Sequence, residues 1–494
     1  MFEINAGFKG RQPFENLYLQ SLKCAALQTT ERLPILLLTE QTNYIIIELM
    51  PINSFKLLLI SLLILFTPHF LHPHSLQETI DLTLKNNISL ASSQKQVEKA
   101  RLEEDSTQKS WLPSLSLGSG YQHLSETGQL NMPTIGNINV GVNDNYENNI
   151  NLSYVIFNGF GKESSCKLKK LQTNIQQLVF EQKQKETAFK VVSLYKKIES
   201  FLLQKNILNK GKERIDLQIA KVTSLIDNGL ALPIERLTLS LSLSQYDQSL
   251  LQLESDYQSI LDQLHNFADE PITVPLPPIA ENIDKRPLTN SSLPSYTNSE
   301  IPKIKLTQNE PLKILNSQKE SIKTNKNLIS SRYYPSLIFQ TGYHYSKPGL
   351  NPMGKEWLDY YNIGAKLNWK FWDWGAIGSQ AQAQEKFQES LALQIEWLTE
   401  QIQSQYRKSV RDYQAILKQL SVQAKAVELA TERIALLSKK TNEGIATATD
   451  FRSADTDLTQ AKLKYFQLLT NIALKQIELD YLSGKPINKW RLGQ

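Results

Sequence analysis

Two hydrophobic patterns alternate along this 494-residue chain, and each occurs twice. The first has period two. Leu337, Phe339, Thr341, Tyr343 and Tyr345 fall on one face of an extended segment, and further on Ala365, Leu367, Trp369 and Phe371 alternate with Gly364, Lys366, Asn368 and Lys370. Earlier in the chain, Ile150, Leu152, Tyr154 and Ile156 interleave with Asn149, Asn151, Ser153 and Val155. Successive side chains of a strand point to opposite faces, so each region predicts one amphipathic hairpin.

The second pattern has three-four spacing, as in Leu168, Leu171, Ile175 and Leu178, and in Leu417, Leu420, Ala424, Val427 and Ile434. It runs through long stretches. No Gly or Pro interrupts the 65 residues from Ser379 to Glu443, and only Gly211 interrupts the 67 from Lys162 to Asn228. At about 1.5 Å per residue these predict helices of about 100 Å, far beyond the usual length. The apolar seam drifts and is interrupted by polar residues, so broad helix-on-helix packing is expected rather than a two-stranded rod. Each long helix ends at a Gly turn and leads into a helix about half as long, Pro233 to Phe267 and Ala448 to Leu482. Leu237, Leu239, Leu241 and Leu243 alternate with Thr and Ser as a strand would, but the matching segment Arg452 to Leu458 does not, and a helix is expected in both. A shorter helix opens the first copy: Ser75 and Glu78 have capping-box spacing, nothing breaks residues 76–110, and Pro113 ends it.

The two copies align by sequence. Trp111-Leu112-Pro113-Ser114-Leu115 returns as Tyr333-Tyr334-Pro335-Ser336-Leu337, and Gly120-Tyr121 as Gly342-Tyr343, both at an offset of 222. Leu152 matches Leu367, Phe157-Asn158 matches Trp372-Asp373, and Gly229 matches Gly444, all at an offset of 215. The chain is therefore a tandem duplication whose first copy carries seven extra residues between the matched blocks, within Ser125 to Tyr146. That stretch and its counterpart Ser346 to Tyr360 read as surface loops. The first repeat spans 75–268, a proline-rich, extended linker 269–303, and the second repeat 304–494.

Composition refines this picture. With 41% hydrophobic and 21% charged residues the chain is globular rather than disordered. The apolar run Leu57 to Leu71, preceded by Lys56, has the length of a signal-peptide core rather than a bilayer span. Residues 50–74, beginning at Met50, are read as the signal and residues 1–49 as a mis-assigned start; cleavage is expected near His74, with an uncleaved anchor as the competing reading. Cys24 would then be lost, leaving Cys166 alone and excluding an internal disulfide or a cysteine metal cluster. The net charge of +5 is spread along the chain, which argues against a nucleic-acid interface. His69, His72 and His74 sit at the signal, and His123, His265 and His344 are isolated. With no phosphate loop, nucleophile elbow or metal-spaced set, no enzyme activity, catalytic residue, cofactor or metal is expected.

The hairpins leave two readings open. Their apolar faces could pack on a soluble core, or face lipid. The opposite face carries Lys and Asn, as a water-filled lumen requires, and Tyr333, Tyr334, Trp369, Trp372 and Trp374 cluster at strand ends as a membrane-interface girdle would. Four strands cannot close a barrel that hides every edge from lipid, so a lipid-facing sheet requires oligomerisation.

The motifs Ser75-Leu76-Gln77-Glu78 with Asn86-Asn87, the Pro-Ser-Leu strand starts, Phe157-Asn158-Gly159 and Trp372-Asp373-Trp374-Gly375 at the strand-to-helix junctions, and the two Gly turns together resemble the TolC family of outer-membrane efflux proteins. The resemblance covers essentially everything after the signal. It implies a mainly α fold with a membrane β-barrel: two tandem repeats, each a β-hairpin plus long and short helices, assembled as a homotrimer with a twelve-stranded barrel on a periplasmic α-helical tube. It further implies an exit duct of a tripartite efflux or type I secretion system in the outer membrane of a Gram-negative bacterium. The partners would be outer-membrane lipid, a periplasmic adaptor and, through it, an inner-membrane transporter. Phe160 and Trp374 stand where the family prefers Gly, leaving the junction geometry open. The tip residues Gly229, Leu230, Ala231, Pro233, Gly444, Ile445, Ala446 and Thr447 are, by this resemblance, the adaptor contact, with Asp450 and Glu235 as the pore constriction. Capping alone also accounts for both acids: Thr447 and Asp450 have N-cap to N3 spacing, and Pro233 and Glu235 fit N1 and N3. Some members of the family carry a second tip Asp where this chain has Ser453; Asp455 and Asp457 could substitute for it, but they read first as solvated-face residues. The alternative function is a coiled-coil periplasmic scaffold or adaptor.

Overall fold

The structure, a computed structural model, describes residues 73–134, 136–277, 301–351, 354–443 and 445–490, all within one unit, Pro73–Gln494. The readings of residues 1–49 as a mis-assigned start, of 50–72 as signal and of the middle of the linker fall outside the described residues. Among the described residues no helix is long and apolar enough to cross a membrane.

The first helix, α1 (Leu76–Asn86), begins with the expected capping box: Ser75 Oγ accepts from Glu78 N at 3.3 Å, and Ser75 N donates to Glu78 Oε2 at 2.8 Å. The helix does not run on to residue 110. Asn87 turns extended, with φ −61° and ψ 116°, and a second helix, α2 (Ile88–Lys109), starts after it. Two bonds account for the break. The Asn87 carboxamide oxygen accepts from Leu90 N at 3.1 Å, capping α2, and its Nδ2 donates to Phe267 O at 2.9 Å. Asn309, 222 residues further on, caps α5 (Glu310–Ser330) in the same way.

The strands are β1 (Ser114–His123), β2 (Gly128–Met132), β3 (Gly136–Val140), β4 (Asp144–Phe157), β5 (Ser336–Lys347) and β6 (Leu358–Asn368). β1, β4, β5 and β6 form one antiparallel sheet in that order, so the two expected hairpins lie side by side. The stretch read as a loop between β1 and β4 instead holds a second hairpin, β2–β3, in which Leu130 stands opposite Ile138. The extra length of the first copy falls within this connection.

The long helices α3 (Gly161–Asp227) and α6 (Ala376–Asn442) each have 67 residues, which is about 100 Å of helix. Each folds back into a helix about half as long, α4 (Pro233–Ala268) and α7 (Ala448–Leu482). α3 packs on α2 and α5 along its first half and on α4 and α7 along its second; α6 packs on α5 and then on α7. Three buried clusters follow one another along this wall. Ile80, Val191, Ile198 and Leu264 anchor the first, Ile207, Tyr413, Leu420 and Phe466 the second, and Ile215, Leu239, Phe451 and Leu458 the third.

α4 is helical despite its strand-like leucines. Residues two apart on a helix are about 200° apart, so Leu239 lies buried in the third cluster while Leu237 and Leu241 stand exposed on the opposite side. Gly211 does not break α3. A Cβ there would lie 2.7 Å from the Tyr246 ring, so the missing side chain lets Tyr246 of α4 seat directly against the long helix.

Candidate functional site

The register of the four-stranded sheet separates the two faces cleanly. Leu115 is opposite Leu152 and Leu117 opposite Ile150; across the next pair Leu152 meets Thr341 and Tyr154 meets Phe339; then Thr341 meets Ile363 and Leu337 meets Leu367. These residues share one apolar face, and half of them are exposed in the single chain, Leu117 at 79% and Ile363 at 68%. The other face carries Ser116, Gly118, Asn149, Asn151, Gln340, His344, Asn362 and Gly364. Among the described residues β1 and β6 each have a strand partner on one side only.

At one end of the apolar face lies an aromatic cluster of which the periodicity singled out only Tyr345. Tyr121 and Tyr146 are 4.9 Å apart, Tyr146 and Trp357 5.6 Å, and Tyr345 and Trp357 4.7 Å with nearly parallel rings. Trp357 lies outside the period-two run, in the loop that looked featureless, which hid this cluster. At the helix end stand the aromatics selected from the sequence. Trp369 Nε1 donates to Tyr333 O at 3.1 Å, and Trp372 packs edge-on against Trp374. Tyr334 and Trp372 also border a cavity of about 720 Å³, shared with Trp111, Asn368 and Lys370, on the polar side of the sheet. Leu337 to Tyr345 makes nine residues of β5, close to the strand length that spans a bilayer.

The junctions explain why Asn158 and Asp373 recur. Asn158 Oδ1 accepts from Lys162 N at 3.1 Å, and Asp373 accepts from Gly375 N at 3.0 Å and Ile377 N at 2.8 Å, so each ties down the first turn of a long helix. Two successive left-handed residues follow each of them: Gly159 and Phe160 at φ 67° and 66°, and Trp374 and Gly375 at φ 56° and 80°. Both copies therefore make the same turn although each fills a different one of the two glycine-favouring positions with an aromatic.

At the tip, Thr447 and Asp450 form a complete capping box on α7: Asp450 N donates to Thr447 Oγ1 at 3.2 Å, and Thr447 N donates to Asp450 Oδ2 at 3.1 Å. Pro233 opens α4 after Leu232, with Glu235 in its first turn. Leu230, Leu232, Ile234 and Ile445 are exposed, giving the tip an apolar surface. Gly444 lies outside the described residues.

Behind the tip is a cluster that the sequence did not reveal. Asp455 is not on a solvated face. It is 1% exposed and accepts from Arg214 Nε at 2.6 Å and from the Tyr246 hydroxyl at 2.5 Å; Arg214 Nη2 donates to Thr459 Oγ1 at 2.9 Å. Burial, followed by the Asp455 charge, pushes the Tyr246 phenol far above its usual range. The cluster joins α3 and α4 of the first repeat to α7 of the second. Asp457, two residues on, is half exposed and pairs with Arg433 of α6.

The sequence profile of the outer membrane efflux protein family matches residues 79–268 and 308–485. This chain belongs to that family. Solved structures of outer-membrane channels share the fold at low identity. The outer membrane protein VceC from Vibrio cholerae is 13% identical, covers 83% of this chain and 96% of its own, and superposes with a TM-score of 0.68. The Campylobacter jejuni channel CmeC is 14% identical, with 83% and 85% covered and a TM-score of 0.67. The open state of the Neisseria gonorrhoeae channel MtrE is 14% identical, with 83% and 89% covered and a TM-score of 0.64. No curated protein matches the chain in sequence.

As an outer membrane efflux protein, the chain is a subunit of an outer-membrane channel, and the scaffold alternative gives way: the family is one of channels, and the exposed apolar sheet face suits lipid. Within this channel subunit, the Thr447 hydroxyl and then its backbone N–H hold the Asp450 carboxyl below its usual range. A carboxylate with a lowered folded-state pKa contributes stability that is present above its unfolded pKa and is lost as pH falls through the folded value. Proteolysis at the 443–447 turn is therefore expected to rise as pH falls below about 4. Asp450→Asn, which cannot complete the capping box as a carboxylate, is expected to be cut readily at neutral pH and to show a flatter profile.

Proposed function

We propose that three copies pair β1 of one subunit with β6 of the next into a twelve-stranded barrel, whose helices continue as a periplasmic tube serving as the exit duct of an efflux or secretion system. One observation carries this reading: a four-stranded sheet with an apolar face, a polar face and two unpaired edges, which lipid would not tolerate unclosed. The helices support it. Val422, Leu429 and Leu436 repeat every seven residues along α6 and are exposed, as are Leu237, Leu241 and Leu251 on α4; neighbouring subunits would cover these stripes.

The tip residues Gly229, Leu230, Ala231, Pro233, Gly444, Ile445, Ala446 and Thr447 receive a periplasmic adaptor coupled to an inner-membrane transporter, and Asp450 and Glu235 narrow the closed pore. Adaptor binding opens the tip by drawing α7 away from α3 and α4. The apolar exposure of Leu230 and Ile445 supports a docking role, and the full cap on Asp450 is compatible with a carboxylate held at the pore mouth. The test is planar-bilayer recording on the purified protein, together with its migration in detergent before and after heating. A heat-sensitive, trimer-sized species with low conductance that rises in Asp450→Ala is expected. A monomer, or the lack of any current even in Asp450→Ala combined with Gly444→Ala, would reject the reading.

A further inference from the structure

On the polar face of the sheet the register surrounds Gly342 with donor atoms. Gly342 of β5 lies opposite Asn151 of β4 on one side and Asn362 of β6 on the other, and His344 follows two residues along the same strand, on the same face. A Cβ on Gly342 would lie 2.3 Å from Asn151 Oδ1, 2.9 Å from Asn362 Oδ1 and 3.0 Å from His344 Nε2. Three lone-pair donors thus converge above a residue that has no side chain to fill the gap.

Their orientation is held from outside the gap. Asn151 Nδ2 donates to Asn149 Oδ1 at 2.8 Å, and Asn149 Nδ2 donates to Glu147 Oε1 at 3.1 Å, a chain that turns the Asn151 oxygen inward. His344 stacks on Tyr360 with ring centres 4.9 Å apart and planes 7° apart. Both imidazole nitrogens are buried, and neither has a hydrogen-bond partner among the described residues. Nδ1 is 3.7 Å from Glu147 Oε1, beyond hydrogen-bond distance, and Nε2 faces the gap.

We propose that Asn151, Asn362 and His344 form a binding site for a divalent transition-metal ion above Gly342. One imidazole nitrogen and two carboxamide oxygens suit such an ion, Cu²⁺ most strongly by the usual order of affinities, and leave its remaining positions to water. The ligands are uncharged, so the site suits weak and reversible occupancy. The duplication supplies an internal comparison. At the matching position of the first repeat Gly120 has nothing within 4 Å of its would-be Cβ, and Gln122 takes the place of His344, so each subunit has one site, not two.

The location of the site rests on the reading of the polar face as the channel lumen; its chemistry does not. Cu²⁺ alone is titrated into the purified, detergent-solubilised protein and followed by electron paramagnetic resonance. The expected result is one nitrogen-coordinated ion per subunit that disappears in His344→Gln and in Gly342→Ala. The second variant keeps every ligand and only fills the gap with a methyl group. Migration as a heat-sensitive oligomer checks that each variant has folded. An unchanged Cu²⁺ signal in both His344→Gln and Gly342→Ala overturns the site. A drop in conductance on adding Cu²⁺ to the wild type, absent in His344→Gln, places the ion in the lumen; ion binding by resonance with unaltered current overturns that placement alone.

Discussion

Asp455→Ala is expected to raise the conductance of the resting channel sharply and to lower its thermal stability. The carboxylate is 1% exposed and accepts from both Arg214 and Tyr246, so its removal takes the charged acceptor from a guanidinium and a phenol and leaves them only Thr459 Oγ1, at 2.9 and 2.8 Å. Removing one partner of a buried ion pair costs about 3–5 kcal/mol. The Arg214 side chain is 24% exposed and water partly replaces its partner, which favours the lower end of that range. If the tie between α7 and the α3–α4 pair is made only in the closed tip, about 3 kcal/mol shifts the balance of closed and open states by about two powers of ten. Tyr246→Phe, which loses one hydroxyl and keeps the packing against Gly211, should have a much smaller effect, on the order of 1 kcal/mol. Arg214→Met combined with Asp455→Leu replaces the pair with apolar groups and should recover stability without restoring the charge-dependent closure. A melting point lowered by Asp455→Ala with no change in current would make the cluster a structural tie and not part of the gate.

This cluster marks where the sequence stopped being readable, although a signal was present. Asp455 lies four residues after Phe451 and three before Leu458, on the buried stripe of α7; its charge concealed that position, because acidic residues are seldom buried without a partner. The partner, Arg214, is 241 residues away. The long helices were legible because more than sixty residues without Pro and with at most one Gly leave few other conformations, and the duplication fixed their equal lengths. The break at Asn87 was not, since an asparagine is only mildly unfavourable inside a helix and the bond that holds it bent goes to Phe267 O. The hairpin β2–β3 was missed for a simpler reason: Leu130 and Ile138 are one apolar pair among Gly and Asn, too little pattern to distinguish strand from loop. For the sheet faces, alternation was sufficient, but the convergence on Gly342 needed the register, which only the paired strands provide.

The faces themselves give the other large expected effect, a comparison of two adjacent positions on β1. Leu117 is on the apolar face beside Ile150, in the same row as Tyr343 and Tyr361 near the middle of the sheet, whereas Ser116 is on the polar face opposite Asn151. Leu117→Arg is expected to cost about 2–4 kcal/mol, the usual penalty for a cation facing lipid at mid-bilayer, and to deplete the heat-sensitive oligomer from the outer membrane. Ser116→Lys, one residue away, places its charge on the polar face, the lumen side of the proposed barrel, and should assemble normally. Urea unfolding in lipid vesicles measures both. Depth supplies a further check. Tyr121→Arg lies on the same strand and face but beside the Tyr146–Trp357 aromatics at the end of the sheet, where the penalty falls to about 0–1 kcal/mol. A soluble packing face has no such gradient, because a buried charge there costs according to local packing and not according to distance along the strand. Equal destabilisation by Leu117→Arg and Ser116→Lys, or a larger effect at Tyr121 than at Leu117, would remove lipid from the apolar face and the barrel with it.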